Sequence, residues 1–208
     1  MIEQQIRTWH VLEPQILDTF KLIERERFVP VAYQALAYTE SPIPISSHEH
    51  MLSPIIQARL VQDLGVKAHE RVLDVGCGTG YTTALLAHLA KQVVGLEIDP
   101  QLAQTAQATL KLEGLSNAHV LTQDASSKDA VNQRFHAILM GGSTAHAPEH
   151  LLQALEIGGR LLGIFGQEPL MQATLVTRQS ETQWDSVPLW DTMAPRLHGF
   201  AESSAFHF

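Results

Sequence analysis

The residues best suited to chemistry lie in Leu73-Asp74-Val75-Gly76-Cys77-Gly78-Thr79-Gly80, which leaves an apolar run and enters an apolar stretch containing Ala84, Leu85, Leu86 and Leu89. Glycines carry no Cβ, so a ligand can approach such a turn closely, and the first N–H groups of the following helix favour an electron-rich partner. Glu97 comes twenty-one residues after Gly76, at the end of a second apolar run, in Gly95-Leu96-Glu97-Ile98-Asp99-Pro100. An acid there can accept hydrogen bonds from ribose hydroxyls. The dinucleotide pattern Gly-x-Gly-x-x-Gly requires a glycine three positions after Gly78. That position is Tyr81, and the extra glycine stands one earlier, at Gly80. Gly-x-Gly-x-Gly favours S-adenosylmethionine, which has no pyrophosphate to cradle. Asp74 beside the turn can attract the cofactor's ammonium group, and Asp124 can accept from its adenine amino group. The candidate cofactor contacts are Asp74, Gly76, Cys77, Gly78, Gly80, Glu97, Ile98 and Asp124. Cys77 itself reads as a small filler, and Asp99 before Pro100 reads as a helix N-cap.

These residues need a scaffold of alternating strands and helices. From residue 71 onward short apolar runs alternate with helical patterns, the signature of βαβ units and a parallel sheet. Strands are expected at Val72 to Val75, Val93 to Ile98, His119 to Thr122, Ala137 to Met140 and Arg160 to Phe165. Helices are expected near 81–90, 100–113 and 148–156. Leu170 to Thr177 and Trp184 to Leu189 read as a closing antiparallel pair. Before residue 71, Leu12, Ile16, Leu17, Phe20 and Ile23 fall near helical spacing, with Pro14 suited to a first turn. Residues 38–54 hold Pro42, Pro44, Pro54 and His48-Glu49-His50 and read as an extended loop. Ser53-Pro54 opens a helix whose apolar face is Ile55, Ile56, Leu60, Val61 and Leu64. The expected fold class is therefore α/β, a Rossmann-like, doubly wound and mostly parallel sheet. Residues 1–70 form an N-terminal helical extension with a substrate loop, and 71–208 form the α/β domain, together one compact unit.

Composition narrows the partners. The chain has 208 residues, with 14 Lys and Arg against 22 Asp and Glu and a net charge of -8. Phosphate binding relies on Lys and Arg, so no nucleic-acid partner is expected. No apolar stretch reaches the ~18 residues of a membrane span, and the polar N-terminus lacks the apolar core of a signal peptide. The expectation is a cytoplasmic protein without a membrane partner. The single cysteine cannot form an internal disulfide, and no Cys/His spacing matches a zinc site, so no metal is expected.

Several blocks in order carry a resemblance across most of the chain: Arg25-Glu26-Arg27-Phe28-Val29-Pro30, Ala37-Tyr38, Pro42-Ile43-Pro44-Ile45, Val72 to Gly80, Glu97-Ile98 and Gly158-Gly159-Arg160-Leu161. Together they resemble the protein-L-isoaspartate (D-aspartate) O-methyltransferase family. The resemblance implies an S-adenosylmethionine-dependent methyltransferase acting on L-isoaspartyl residues of damaged proteins or peptides, with the first 70 residues packed over the cofactor. It also departs from the family at the substrate end. Where the family usually has Gly-x-Gly-Gln-Thr-Ile-Ser, this chain has Ser46-Ser47-His48-Glu49-His50-Met51-Leu52, so His50 stands for the threonine and Leu52 for the serine. Gly141-Gly142-Ser143 replaces Thr-Ala-Ala after the fourth strand, and the segment 189–195 also differs.

An isoaspartyl carboxylate is ionised at neutral pH, and its methylation needs positioning and water exclusion rather than a general base. A neutral nucleophile would benefit from a base, for which histidine is suited near pH 7. The catalytic candidates are therefore His50, with Glu49 as a neighbouring orienting acid, and Ser53 as a shifted replacement for the missing hydroxyl; Ser53 also reads as an N-cap. Tyr38, Trp184 and Trp190 are candidates for the cleft wall, or for the core. The alternatives are a methyltransferase with a changed acceptor, such as a small molecule or another protein side chain, and a cofactor-binding protein without catalysis. A dinucleotide oxidoreductase is disfavoured by Tyr81.

Overall fold

In the computed structural model, which describes residues 11–202, a seven-stranded sheet runs in the order β5-β4-β3-β6-β7-β8-β9. The strands are β3 (Arg71–Val75), β4 (Gln92–Glu97), β5 (Ala118–Thr122), β6 (Phe135–Thr144), β7 (Leu155–Gln167), β8 (Leu170–Arg178) and β9 (Trp184–Asp191). The first five are mutually parallel, and β7, β8 and β9 pair antiparallel. The chain lays β3, β4 and β5 in one direction and then crosses back to place β6 on the other side of β3. Strand order therefore reverses at β3, and a crevice opens at the carboxyl ends of β3 and β6.

Alternation along the strands builds both faces. Leu73, Val75, Ile138, Met140 and Leu161 point into one apolar cluster, while Val72, Ala137, Leu139, Leu162 and Ile164 point into the other. Three helices cover the second face: α1 (Pro14–Leu22), α2 (Pro54–Leu64) and α3 (Tyr81–Leu89). Leu151 of α5 (Glu149–Gln153) packs into the first cluster. The helix boundaries follow local chemistry. Pro14 occupies the first turn of α1, Ser53 caps α2 and Gly65 ends it in the left-handed region at φ 61°. Asp99 caps α4 (Pro100–Leu112) by accepting from the N–H groups of Gln101 and Leu102.

The α1 stripe is buried at Ile16, Leu17, Phe20 and Ile23, while Leu12 is exposed. Two strands run longer than the sequence pattern suggests, and one helix is shorter. β6 continues past Met140 through Gly141-Gly142-Ser143-Thr144, because Ser143 and Thr144 still pair with Ile164 and Phe165 of β7 after a register shift. The helix expected over 148–156 ends at Gln153, because the carbonyl of Ala154 accepts from Phe135 and Leu155 already pairs with it. Trp184 and Trp190 lie on β9. The Trp190 indole donates to Asp63 at 2.6 Å, and that of Trp184 donates to the Leu152 carbonyl at 3.3 Å. Among the described residues no helix is long and apolar enough to cross a membrane, and no group of three His, Cys, Asp or Glu side chains could hold a metal ion.

Ahead of the sheet, 3-10 turns at Arg25–Phe28 and Val31–Leu36 lead into a small hairpin of β1 (Ile43–Pro44) and β2 (His50–Met51). Arg25 fastens this segment. Its guanidinium is fully buried and donates to the Ala37 carbonyl at 2.7 Å, the Leu52 carbonyl at 2.6 Å and the Gln57 side chain. It also lies 5.0 Å from the centre of the Tyr81 ring. Gln57 in turn donates to Thr82 of α3 at 2.8 Å. Burial lowers the Arg25 pKa to about 10, which still leaves it charged at neutral pH. Arg25→Lys keeps the charge but cannot reach the three acceptors from one ammonium, and stranding buried acceptors costs about 1 to 3 kcal/mol each. Urea denaturation of this variant is expected to show a stability loss of about 3 kcal/mol or more. A loss below about 1 kcal/mol would mean that the neighbouring packing holds the segment without Arg25.

Candidate active site

The crevice at the strand switch is lined by the glycine turn (Gly76, Cys77, Gly78, Thr79), Glu97 and Ile98 from the end of β4, Gly141 and Gly142 of β6, residues 49–52, and Pro195 to His198. Its mouth opens to solvent between these segments. Three glycines in the turn take positive φ: Gly76 at 70°, Gly78 at 56° and Gly80 at 85°. The space a side chain would fill at these positions is taken by the protein. A Cβ on Gly78 would meet Ile45 of the hairpin loop at 2.9 Å, one on Gly80 would meet Ala106 of α4 at 3.0 Å, and one on Gly76 would strike Leu197. Gly80 thus serves helix packing rather than the cleft wall.

The N–H groups of the turn are largely committed. Those of Gly76 and Cys77 donate to the Leu96 carbonyl at 2.8 and 3.1 Å, that of Gly78 to Glu97 Oε2 at 2.7 Å and that of Gly80 to the Cys77 carbonyl at 2.9 Å. These four groups are therefore unavailable as a nest for a pyrophosphate. Glu97 is buried, and its other oxygen accepts from Asp99 N–H at 3.0 Å. Each carboxylate oxygen keeps a lone pair for a ligand hydroxyl. Burial pushes the Glu97 carboxyl above its ordinary value, opposed by the hydrogen bonds from Asp99 and Gly78. Burial and the adjacent carboxylates of Asp74 and Glu97 push the Cys77 thiol well up, which leaves it a packing residue against Gly95.

Asp74 lies beneath the turn, fully buried and away from the cleft wall. Its Oδ2 accepts from the Thr83 hydroxyl at 2.6 Å, and its Oδ1 has no partner. Asp124 is exposed at the end of β5, where Oδ1 accepts from the Ser126 N–H at 2.9 Å and hydroxyl at 2.7 Å, a local turn outside the lined crevice. Ser53 accepts from Ile56 N–H at 3.4 Å as the cap of α2 and does not line the crevice. His50 does line it, exposed on β2, whereas His48 does not. The acid expected to orient His50 is engaged elsewhere: Glu49 Oε1 lies 2.6 Å from Nε2 of His198. Tyr38 donates to Glu26, and neither it nor the two β9 tryptophans reach the cleft wall.

The segment 194–198 is the part of the site that the sequence pattern missed. It is held by β6: Ser143 N–H donates to the Pro195 carbonyl at 2.7 Å, Leu197 N–H to the Ser143 carbonyl at 2.9 Å, and the Ser143 hydroxyl to the Ala194 carbonyl at 2.8 Å. Gly142 permits this approach, because a Cβ there would sit 2.8 Å from the Pro195 carbonyl and 2.9 Å from Leu197. The paired glycines Gly141-Gly142 were the available signal.

The crevice, the turn and the strand reversal together mark a candidate small-molecule site at the carboxyl edge of the sheet. The protein-L-isoaspartate(D-aspartate) O-methyltransferase family matches residues 1–188. The chain belongs to this family. A protein-L-isoaspartate O-methyltransferase from Syntrophus aciditrophicus is 36% identical over 181 residues, covering 87% of this chain and 83% of the relative. A second, from Marinobacter nauticus, is 32% identical over 200 residues, covering 96% and 91%. Among solved structures, a Plasmodium falciparum chain described as a protein-L-isoaspartate O-methyltransferase and solved with S-adenosyl-L-homocysteine superposes with a TM-score of 0.76 at 20% identity, covering 91% of this chain and 93% of that one. At that identity the likeness speaks for the fold, the same α/β sheet.

Within this family site Asp74 carries a measurable signature. Burial first, with Glu97 adding to it and Thr83 opposing, raises its pKa from 3.8 to about 7. A carboxyl whose folded-state pKa is raised contributes stability that is fully present below the unfolded value and is lost as pH rises through the folded one. Asp74→Asn removes the titration. The stability of the variant relative to the parent is expected to rise by roughly 1.4 kcal/mol per pH unit between about pH 4 and pH 7, then level off. Denaturation of both proteins across that range decides it, and a flat difference would mean that Asp74 titrates as an ordinary carboxyl.

Proposed function

We propose that the chain binds S-adenosylmethionine in the crevice at the ends of β3 and β6 and methylates the free carboxylate of L-isoaspartyl residues in proteins or peptides. The observation that carries the cofactor class is the state of the glycine turn. With the Gly76, Cys77, Gly78 and Gly80 N–H groups bonded to protein oxygens, the turn suits a ligand without phosphates. Glu97, with lone pairs left on both oxygens, is placed to hold ribose hydroxyls, with Ile98 and Cys77 as apolar neighbours. When ionised, Asp74 contributes negative charge from one layer below, which favours a cationic ligand over the turn. When bound, S-adenosylmethionine supplies an electrophilic methyl group on a sulfonium.

The chain's own residues then have a positioning task. An ionised carboxylate attacks without giving up a proton, so no general base is required. The roof of hairpin and tail excludes water and limits the approach of the acceptor. Leu52 is held at the cleft wall by its carbonyl bond to Arg25, and His50 stands two residues away. The family relation supports the isoaspartyl acceptor, and the altered 46–52 segment bears on its rate.

Two measurements test this reading. Titration is expected to show binding of S-adenosylmethionine and S-adenosylhomocysteine in preference to NAD, and Glu97→Ala is expected to weaken the former by about 2 kcal/mol or more with a cooperative melting transition retained. Equal NAD affinity would overturn the cofactor assignment. The second concerns the acceptor. His50→Thr combined with Leu52→Ser restores a hydroxyl at the wall, and turnover of an isoaspartyl peptide is expected to rise by about one to two decades, the worth of a hydrogen bond to a charged group. Equal turnover in parent and double variant would show that the segment already serves the acceptor as it stands.

A further inference from the structure

We infer that Arg196, carried on the tail segment across the cleft, is the residue that binds the acceptor's carboxylate and selects an anionic substrate. The inference rests on the isoaspartyl reading above and names the group that would recognise that substrate. Among the described residues, the buried side-chain atoms with no hydrogen-bond partner are Asp74 Oδ1, Tyr81 Oη and Arg196 Nη1. Buried polar groups are satisfied almost everywhere in folded proteins, so those left open tend to mark functional sites. Tyr81 and Arg196 both line the crevice, and Asp74 lies directly beneath its turn.

Other enclosed arginines of this chain behave differently. Arg25 places its arms on Ala37, Gln57 and Leu52, Arg160 places its own on Leu64, Glu70 and Gly65, and Arg178 on Ser180, Gln153, Leu155 and Glu181. Arg196 has its Nη2 within 3.4 Å of Glu202 Oε2, a pair whose carboxylate is more than half exposed, and leaves Nη1 without an acceptor. An exposed pair of this kind holds weakly. The chain's own carboxylate thus occupies one arm of the guanidinium and can yield it to an incoming one.

Electrostatics favour such a cation. The ionisable side chains lining the crevice include Glu49, Glu97, Arg196, His50 and His198, with Asp74 buried below. Arg196 is the one Arg or Lys among the lining residues. A carboxylate entering between two glutamates is repelled unless a fixed positive charge meets it, and a guanidinium keeps its charge at every working pH. Its position is set by backbone rather than by the side chain alone, since Arg196 forms a parallel bridge with Ser143 flanked by the Pro195 and Leu197 hydrogen bonds. One arm on one carboxylate oxygen leaves the other oxygen free as the nucleophile, so binding does not block the transfer.

The test compares the parent with Arg196→Gln and Arg196→Lys, using an isoaspartyl peptide as acceptor and S-adenosylhomocysteine as cofactor probe. Arg196→Gln is expected to raise the peptide KM by about tenfold or more, with the S-adenosylhomocysteine Kd and the melting temperature unchanged, and Arg196→Lys to recover part of the loss. Glu202→Gln, which frees the second arm, is expected to lower KM or leave it unchanged. An unchanged KM in Arg196→Gln with an active parent overturns the assignment, as does a weakened S-adenosylhomocysteine Kd, which would place the arginine on the cofactor. If Arg196→Gln lowers the melting temperature, Arg196→Met takes its place, with the same rise in KM expected and an unchanged KM overturning the assignment. A parent that transfers no methyl group to the peptide fails at the functional reading itself, an outcome distinct from an active parent with an indifferent Arg196.

Discussion

A buried guanidinium whose hydrogen bonds go to neutral acceptors holds the site together. Arg25 spends its donors on two carbonyls and an amide, from Ala37, Leu52 and Gln57, and rests on the Tyr81 ring. Each contact belongs to a different part of the chain: the second 3-10 turn, the end of the hairpin, α2 and α3. A neutral side chain could not satisfy three acceptors at once, and a lone charge could not be buried without them. The bond from Gln57 to Thr82 carries the same constraint to the helix that follows the glycine turn. The N-terminal segment is thereby oriented against the cofactor end of the sheet, and Leu52 is fixed at the cleft wall.

The glycine turn, in consequence, works in two directions. Its missing Cβ atoms admit Ile45 and Leu197 from the hairpin and the tail on one side, and Ala106 of α4 on the other. Both covers meet over the crevice, and the contact between Glu49 and His198 joins them. Access to the site therefore depends on two segments that are separately anchored, one through Arg25 and the other through Ser143. Water exclusion during transfer follows from the same arrangement.

Charge within this enclosure is unevenly distributed. Glu97 and Asp74 are both pushed up, first by burial, which disfavours the charged form, with Glu49 adding to the shift of Glu97 and Glu97 to that of Asp74. A cationic cofactor relieves that strain, and an anionic acceptor aggravates it. The one Arg or Lys among the residues lining the crevice, Arg196, is carried by the tail.

Much of this was legible in the residues themselves. The strand runs, the Gly-x-Gly-x-Gly turn, Glu97 at a strand end and the caps at Ser53 and Asp99 all depend on local rules, in which periodicity or a hydrogen bond two or three residues away decides the outcome. The acids expected to meet the cofactor were harder to place by type alone. Asp74 and Asp124 stand in comparable sequence settings, yet one is sealed beneath the turn and the other closes its own bend with Ser126. Which way a strand-end acid faces depends on the helices and tail packed around it. The pairing of Glu49 with His198, the extension of β6 and the delivery of Arg196 to the cleft were decided only by the tertiary structure. Each joins residues far apart in the chain through irregular backbone, where no periodicity records the partner and only the folded register brings the groups together.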